Sequence, residues 1–342
     1  MQPVRFGLIG YGAWGSHHAR AIGEHPGAEL PAVAARTPAT LERAKAELPG
    51  VARYGDYREM LAREELDAVV VVLPTDLHYA AARAVLESGR HLLLEKPMAL
   101  TLEHCDALNA LAREKGKLLA VGHEFRLSSL WGRVKQMIDA GEIGEPQYAL
   151  IELWRRPYRL GTEGWRYDIN RVGNWILEEP IHFFDLARWY FQSAGEPVSV
   201  FAQASARRKD HPELQDNFSA MLRFPGGAYA VIAQTLAAWE HHQVVKVTGR
   251  EGALWASWSG ALDRTFTPTF SLKHQRGDGA PVEIPITKVT GEVYELREQV
   301  HLMVRAVSGQ GKLAASGVDG RWSVAMCLAA QRSVDTAAEV RF

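Results

Sequence analysis

The chain has 342 residues, with 39 Lys plus Arg against 40 Asp plus Glu, 47% apolar residues and 2 cysteines. That length fits two domains, each able to bury a core, and the balanced charge removes any electrostatic pull towards nucleic acid or an anionic membrane. The longest strongly apolar run, Ala68 to Leu73, is far too short to span a bilayer. The widely spaced Cys105 and Cys327 form neither a disulfide framework nor a metal-ligand pair.

A strand is predicted almost at once, over Arg5–Ile9, which leaves no room for a signal or transit segment; a cytoplasmic protein with reduced thiols is expected. Helix and strand signals then alternate. Helices are predicted over Ala13–Glu24, Ala39–Leu48, Tyr79–Ser88 and Leu102–Lys115, with Gly89 and Gly116 just past helix ends. Strands are predicted over Leu30–Ala35, Asp67–Leu73, His91–Leu94 and Leu118–Val121. The consecutive valines of the Asp67–Leu73 run suit a sheet covered on both faces. Alternation at this spacing implies βαβ units and a parallel sheet.

After Gly122 the pattern changes. A helix is predicted over Ser128–Ala140, a long alternating strand over Gln147–Trp154 and a helix around Ile181–Phe191. Strands then follow one another from Val198 to Trp258, with a hairpin turn at Pro225-Gly226-Gly227. Thr265–Ile286, rich in Pro, Gly and Thr, reads as a loop, and helices return over Tyr294–Val307 and Trp322–Ala337. The expected architecture is an α/β domain over residues 1–122 and an α+β domain over 123–342. The second domain holds a large, mostly antiparallel sheet, and its last helix is free to pack back on the first.

Gly10-Tyr11-Gly12-Ala13-Trp14-Gly15 is a G-x-G-x-x-G between a strand and a helix, the fingerprint of a Rossmann dinucleotide-binding domain. Gly10 permits the tight turn, Gly12 lets a pyrophosphate approach the backbone, and Gly15 lets helix and strand pack closely. The helix N-terminus, which includes Ala13 and Trp14, offers free N–H groups to the phosphates. The acidic residue that holds the adenosine ribose of NAD is absent, and the second strand ends instead in Arg36-Thr37. Arg36 either pairs with a 2′-phosphate, helped by Thr37, or stacks on adenine; NADP is favoured, with NAD the alternative.

Further on, Leu73-Pro74-Thr75-Asp76-Leu77-His78, Glu87-Ser88-Gly89-Arg90-His91 and Glu95-Lys96-Pro97 resemble the Gfo/Idh/MocA family. The resemblance extends through Gly141-Glu142-Ile143-Gly144 and His182-Phe183-Phe184-Asp185 to Ser316-Gly317-Val318-Asp319-Gly320-Arg321. It implies a two-domain NAD(P)-dependent oxidoreductase of sugars or polyols, with Leu73, Pro74, Thr75, His78 and Glu95 beside the cofactor. It also implies that Lys96 hydrogen-bonds the reacting oxygen of the substrate, and it allows a cis Lys96–Pro97 bond. Read on its own, Lys96 lies just past a parallel strand, where open α/β sheets bind ligands; the alternative is a solvated surface lysine.

Residues 172–185 resemble the family's glycine-rich segment and D-x-G-x-H-x-x-D pattern, which makes His182 the implied general base. Glu178 stands where the family has aspartate and Pro180 where it has glycine. On a helix, Glu178 and His182 would share a face and the acid would orient the ring. If the helix instead begins at Pro180, that relation lapses. Asp185 is either a group behind the histidine or a structural ion-pair partner. Arg126 matches a family arginine near cofactor or substrate. Trp154, Arg156 and Tyr158, followed by Trp165 and Arg166, offer aromatic faces and guanidinium groups for a sugar ring. His17-His18, His123 and His241-His242 lack partners at ligand spacing, so no metal is expected.

The leading expectation is a dehydrogenase of a secondary alcohol, or the reverse ketone reductase, working as a homo-oligomeric dimer or tetramer. One alternative uses the same groups for transient oxidation, followed by elimination or glycoside cleavage with cofactor recycling. Another is a cofactor-binding sensor that catalyses nothing.

Overall fold

The structure, a computed structural model, describes residues 2–262 and 264–342. It divides into two compact units: residues 1–124 with 295–321, and residues 125–294 with 322–342.

In the first unit the chain runs β1 (Val4–Ile9), α1 (Ala13–Gly23), β2 (Ala28–Ala34), α2 (Pro38–Glu47), β3 (Ala52–Tyr54), α3 (Tyr57–Arg63), β4 (Ala68–Val71), α4 (His78–Glu87), β5 (His91–Leu94), α5 (Leu102–Glu114) and β6 (Leu119–Val121). The strands form one parallel sheet in the order β3-β2-β1-β4-β5-β6. The order reverses beside β1, so the chain's first turn lies at a topological switch point, where such sheets bind ligands. All of β4 is buried, as its valines require. Thr37, Asp56 and Thr101 cap their helices through side-chain oxygens that accept backbone N–H groups.

The second unit continues with α6 (Trp131–Asp139), β7 (Pro146–Trp154), α7 (Ile169–Val172), α8 (Pro180–Tyr190), β8 (Ser199–Ser205), β9 (Asn217–Arg223), β10 (Tyr229–Thr235), β11 (His241–Gly249), β12 (Gly252–Gly260), β13 (Thr269–Arg276) and β14 (Val282–Glu283). After these come α9 (Glu295–Val307), α10 (Gly317–Thr336) and β15 (Val340–Arg341). The nine strands lie in the order β14-β13-β12-β11-β7-β10-β9-β8-β15, and every neighbouring pair is antiparallel except β7–β10. Helix α8 lies on β7 and β10 with α6 beside it. Its Ile181, Phe183, Phe184 and Leu186 are fully buried, each stabilising the fold by about 1.5–3 kcal/mol.

Three features depart from expectation. Residues 265–286 hold β13 and β14 rather than a loop, because β12 presents a full edge for β13 to pair with. The short β3 and α3 carried too little periodicity to register. Residues 295–321 belong to the first unit, where Leu296, Val300 and Met303 of α9 enter the same core as Phe6, Leu8 and Ile22. Helix α9 and the start of α10 thus belong to the first unit, and α10 begins at Gly317 rather than Trp322.

Candidate active site

The turn after β1 is built for a dinucleotide. Gly10 has φ +99°, and a Cβ there would lie 2.0 Å from the Val72 carbonyl oxygen. A Cβ on Gly15 would stand 1.9 Å from the oxygen of Gly10. No side chain fits at either position. At Gly12, the N-cap of α1, a Cβ would meet nothing within 4 Å, so open space lies over the helix N-terminus where a pyrophosphate would sit. Arg43 adds a feature with no sequence signal: its guanidinium donates to the Tyr11 carbonyl and lies 5.1 Å from the Tyr11 ring centroid. Tyr11 is further fixed by donating to Glu47 Oε2 at 2.6 Å.

Arg36 is exposed two residues past the end of β2. Thr37 has another role than the expected phosphate donor. Its oxygen accepts from the Thr40 amide at 3.3 Å, and its hydroxyl donates to Thr40 Oγ1 at 2.7 Å, so it serves the α2 cap.

Lys96 follows β5 at its C-terminal end, and the Lys96–Pro97 bond is cis. Its neighbours expected beside the cofactor are largely internal supports. Glu95 is buried against His18 of α1, with Nε2 to Oε1 2.8 Å, and its other oxygen accepts the Lys96 amide at 3.2 Å. Burial by itself raises the Glu95 carboxyl, but His18, Lys96 and Trp14 outweigh it and hold the group below the usual carboxylate value. His78 is buried between two chain carbonyls, Nδ1 2.7 Å from Pro97 O and Nε2 2.8 Å from Leu73 O. It therefore ties the Leu73-Pro74 segment to the Lys96-Pro97 turn and directs both ring nitrogens at the chain itself. Burial moves its imidazole below the ordinary histidine value, against the pull of the two carbonyls. Pro74 precedes the short helical turn Thr75–Leu77, in which Thr75 is buried.

In the second unit His182 lies in the first turn of α8, buried, with its ring stacked on Phe125 at 4.5 Å and its amide donating to Glu179 O at 3.0 Å. Pro180 is the first helical residue and Glu179 the N-cap. Glu178 thus precedes the helix, and the expected helical facing of Glu178 and His182 does not arise. Glu178 is buried in an ion pair with Arg166, whose guanidinium also lies 4.6 Å from the Trp165 ring centroid. Next to it, Glu179 pairs with Arg155. One turn beyond His182, Asp185 accepts from Arg126 Nε at 2.7 Å and Nη2 at 2.6 Å, a buried bidentate pair. Asp185 is therefore an ion-pair partner, and Arg126 is anchored to α8. Arg155, and with it the pairing of Glu179, was not anticipated, because the residues lie 24 positions apart with no motif between them.

The remaining predicted side chains divide by exposure. Tyr158 and Trp165 belong to a buried cluster with Tyr167, Val172, Trp175, Leu214 and Leu236. Tyr158 donates to Gln234 Oε1 at 3.0 Å, and burial pushes its phenol far above the ordinary range. Trp154, 54% exposed, ends β7, and Arg156 beyond it donates to the Trp239 carbonyl. His241, expected to lack ligand partners, has Glu179 and Glu292 beside it, brought there from remote segments.

A switch-point glycine turn on a parallel sheet, followed by a domain built on a large open sheet, defines a two-domain dinucleotide-binding protein. Residues 4–123 match the model of the oxidoreductase family with an NAD-binding Rossmann fold, and residues 131–255 match the GFO/IDH/MocA C-terminal domain. The chain belongs to the Gfo/Idh/MocA family of NAD(P)-dependent oxidoreductases. It is 31% identical over 340 residues to inositol 2-dehydrogenase of Rhizobium meliloti, covering 97% of each chain. It is 26% identical to myo-inositol 2-dehydrogenase of Thermotoga maritima, covering 99% of this chain and 98% of that one. The fold is also that of aldose-aldose oxidoreductase from Caulobacter crescentus, with a TM-score of 0.86 at 20% identity and full coverage of both chains. Among the described residues, no helix is long and apolar enough to cross a membrane.

Proposed function

We propose that this protein is a dehydrogenase of a secondary alcohol on a cyclic polyol or sugar, or the matching ketone reductase, using NADP in preference to NAD. The observation that carries the reading is that a chain 31% identical over 97% of its length to a protein named inositol 2-dehydrogenase carries Lys96 and His182 in motifs that resemble those of the family. The nicotinamide ring, when bound, supplies hydride acceptance and donation. Lys96 donates a hydrogen bond to the substrate oxygen and stabilises it as charge develops. His182 takes the hydroxyl proton at its ring, imidazole being a side chain suited to general-base work. The Phe125 ring fixes the plane of the imidazole and keeps water from one of its faces. Trp154, Arg156 and Arg166 are the proposed contacts to substrate hydroxyl groups. The preference for NADP rests on exposed Arg36 at the place where an NAD-binding strand carries an acid.

The test is a panel of inositols, sugars and sugar acids incubated with NAD and with NADP while reduced nicotinamide is followed. Stoichiometric reduction with a polyol or sugar is expected. Tight cofactor binding with no turnover on any compound would sink the dehydrogenase reading, and product release without net reduction would replace it with transient oxidation. We also propose a cytoplasmic homo-oligomer formed through the open sheet face. Leu150, Val231, Met221 and Phe201 stand in register across four strands of that face, and Met221 and Phe201 are exposed. Light scattering on the full chain reads its mass in solution.

A further inference from the structure

Three side chains from separate segments of the second unit converge beside the start of α8. These are Glu179 at the α8 N-cap, His241 at the start of β11 and Glu292 in the segment between β14 and α9. A ligand atom from each lies within 4.8 Å of the others. Glu179 is 5% exposed. Its Oε2 faces Arg155, while its Oε1 is buried, accepts no hydrogen bond among the described residues, and points at His241 Nε2 3.3 Å away. A buried carboxylate oxygen facing an imidazole nitrogen and a second carboxylate is costly without a cation to share.

Each of the three is also braced from behind. Arg155 holds Glu179 and packs 4.7 Å from the Tyr158 ring centroid. The Trp258 ring meets His241 edge-on at 5.4 Å. The segment carrying Glu292 is anchored where Trp258 Nε1 donates to Thr290 O at 2.9 Å and where the Ser128 and Thr290 hydroxyls meet at 2.6 Å. Metal sites need this kind of support, because it holds the donors in place before the ion arrives. The Gln243 amide lies 3.0 Å from His241 Nε2 through its nitrogen; turned over, it would bring its oxygen to the same point as a fourth donor.

We propose that Glu179, His241 and Glu292 form a binding site for a divalent first-row transition cation. One imidazole and two carboxylates, with an amide oxygen in reach, suit Mn²⁺ or Zn²⁺ better than a soft, thiol-seeking ion. Metal–donor distances of about 2.0–2.2 Å ask the three donors to close slightly, and the half-buried Glu292 is the side chain with room to do so. Because Glu179 O accepts the His182 amide at 3.0 Å, a bound ion would stiffen the first turn of α8. The site stands independently of any dehydrogenase activity.

The test uses the full chain stripped with a chelator and checked by elemental analysis, then titrated calorimetrically with Mn²⁺ alone and with Zn²⁺ alone. One equivalent of at least one ion is expected to bind and to raise Tm, since a ligand specific for the native state stabilises it. Bound Mn²⁺ should broaden the NMR signals of the His241 ring. Glu292→Gln, the mildest change, and His241→Ala should each weaken binding by about tenfold or more. Failure of the parent protein to bind either ion overturns the site. So does unchanged binding by a folded Glu292→Gln variant.

Discussion

Lys96 and His182 are held in place by different physics. In the first unit the support comes largely from strand ends and chain carbonyls: Lys96 lies just past the end of β5, Glu95 beside it reaches α1 through His18, and His78 joins two loops by their carbonyls. In the second unit the support is a set of buried carboxylate–guanidinium pairs. Glu178, Glu179 and Asp185 around His182 are buried against Arg166, Arg155 and Arg126. A parallel sheet delivers its strand ends to one edge, so a ligand site there needs few specific contacts. Helix α8, lying across β7 and β10 in a mostly antiparallel sheet, has no such default. Its polar end must be neutralised residue by residue, and losing one partner leaves a buried charge unpaired.

That contrast can be broken most directly at the two proposed catalytic groups. His182→Asn is expected to lower turnover by about 10²–10⁴-fold, the range for a lost general base, while a fluorescence titration with dinucleotide stays at the parent affinity. A variant that turns over at the parent rate would remove His182 from the mechanism. Lys96→Met should cost about 10²–10³-fold in kcat, as for a lost donor to a developing oxyanion. Both the cofactor titration and the urea midpoint should be unchanged, and a large drop in stability would mean that Lys96 is structural.

Stability measurements sharpen the comparison from the other side. Arg126→Met leaves Asp185 buried without its partner and is expected to cost about 3–5 kcal/mol in urea unfolding. Breaking the exposed Arg83–Glu87 pair of the first unit should cost no more than about 1 kcal/mol. Equal losses at the two places would end the claim that buried charge carries the second unit. The smallest effect is reserved for cofactor choice. Arg36→Ala should raise KM for NADP by about tenfold or somewhat more, the worth of a hydrogen bond to a charged group, with KM for NAD unmoved. A parallel change for both cofactors would assign Arg36 to adenine stacking.

Much of the first unit was readable because its signals are short-range. The valines of β4, the glycines of the first turn and the position of Lys96 each depend on neighbours within a few residues. Where sequence alone misled, the cause was pairing with remote partners. Thr269–Arg276 forms a strand because β12 pairs with it, Trp255 opposite Lys273, despite the loop-like composition around it. Pro180 held the clue that α8 starts there, and with it the reason that Glu178 turns to Arg166. His78 and Glu95 sit in recognisable motifs, yet only the fold shows that they brace the chain.

The sequence by itself determined the two-domain class and the dinucleotide turn, since strand periodicity and steric limits at glycine act locally, while Lys96 and His182 became candidates through the resemblance of their motifs to a family. The tertiary structure decided which carboxylate meets which arginine, that α9 belongs to the first unit, and that His241 faces Glu179 and Glu292. Those outcomes depend on burial. A charge taken out of water must find a partner, and that partner is whatever the fold brings near: Asp185 lies 59 residues from Arg126 along the chain and 2.6 Å from it in space.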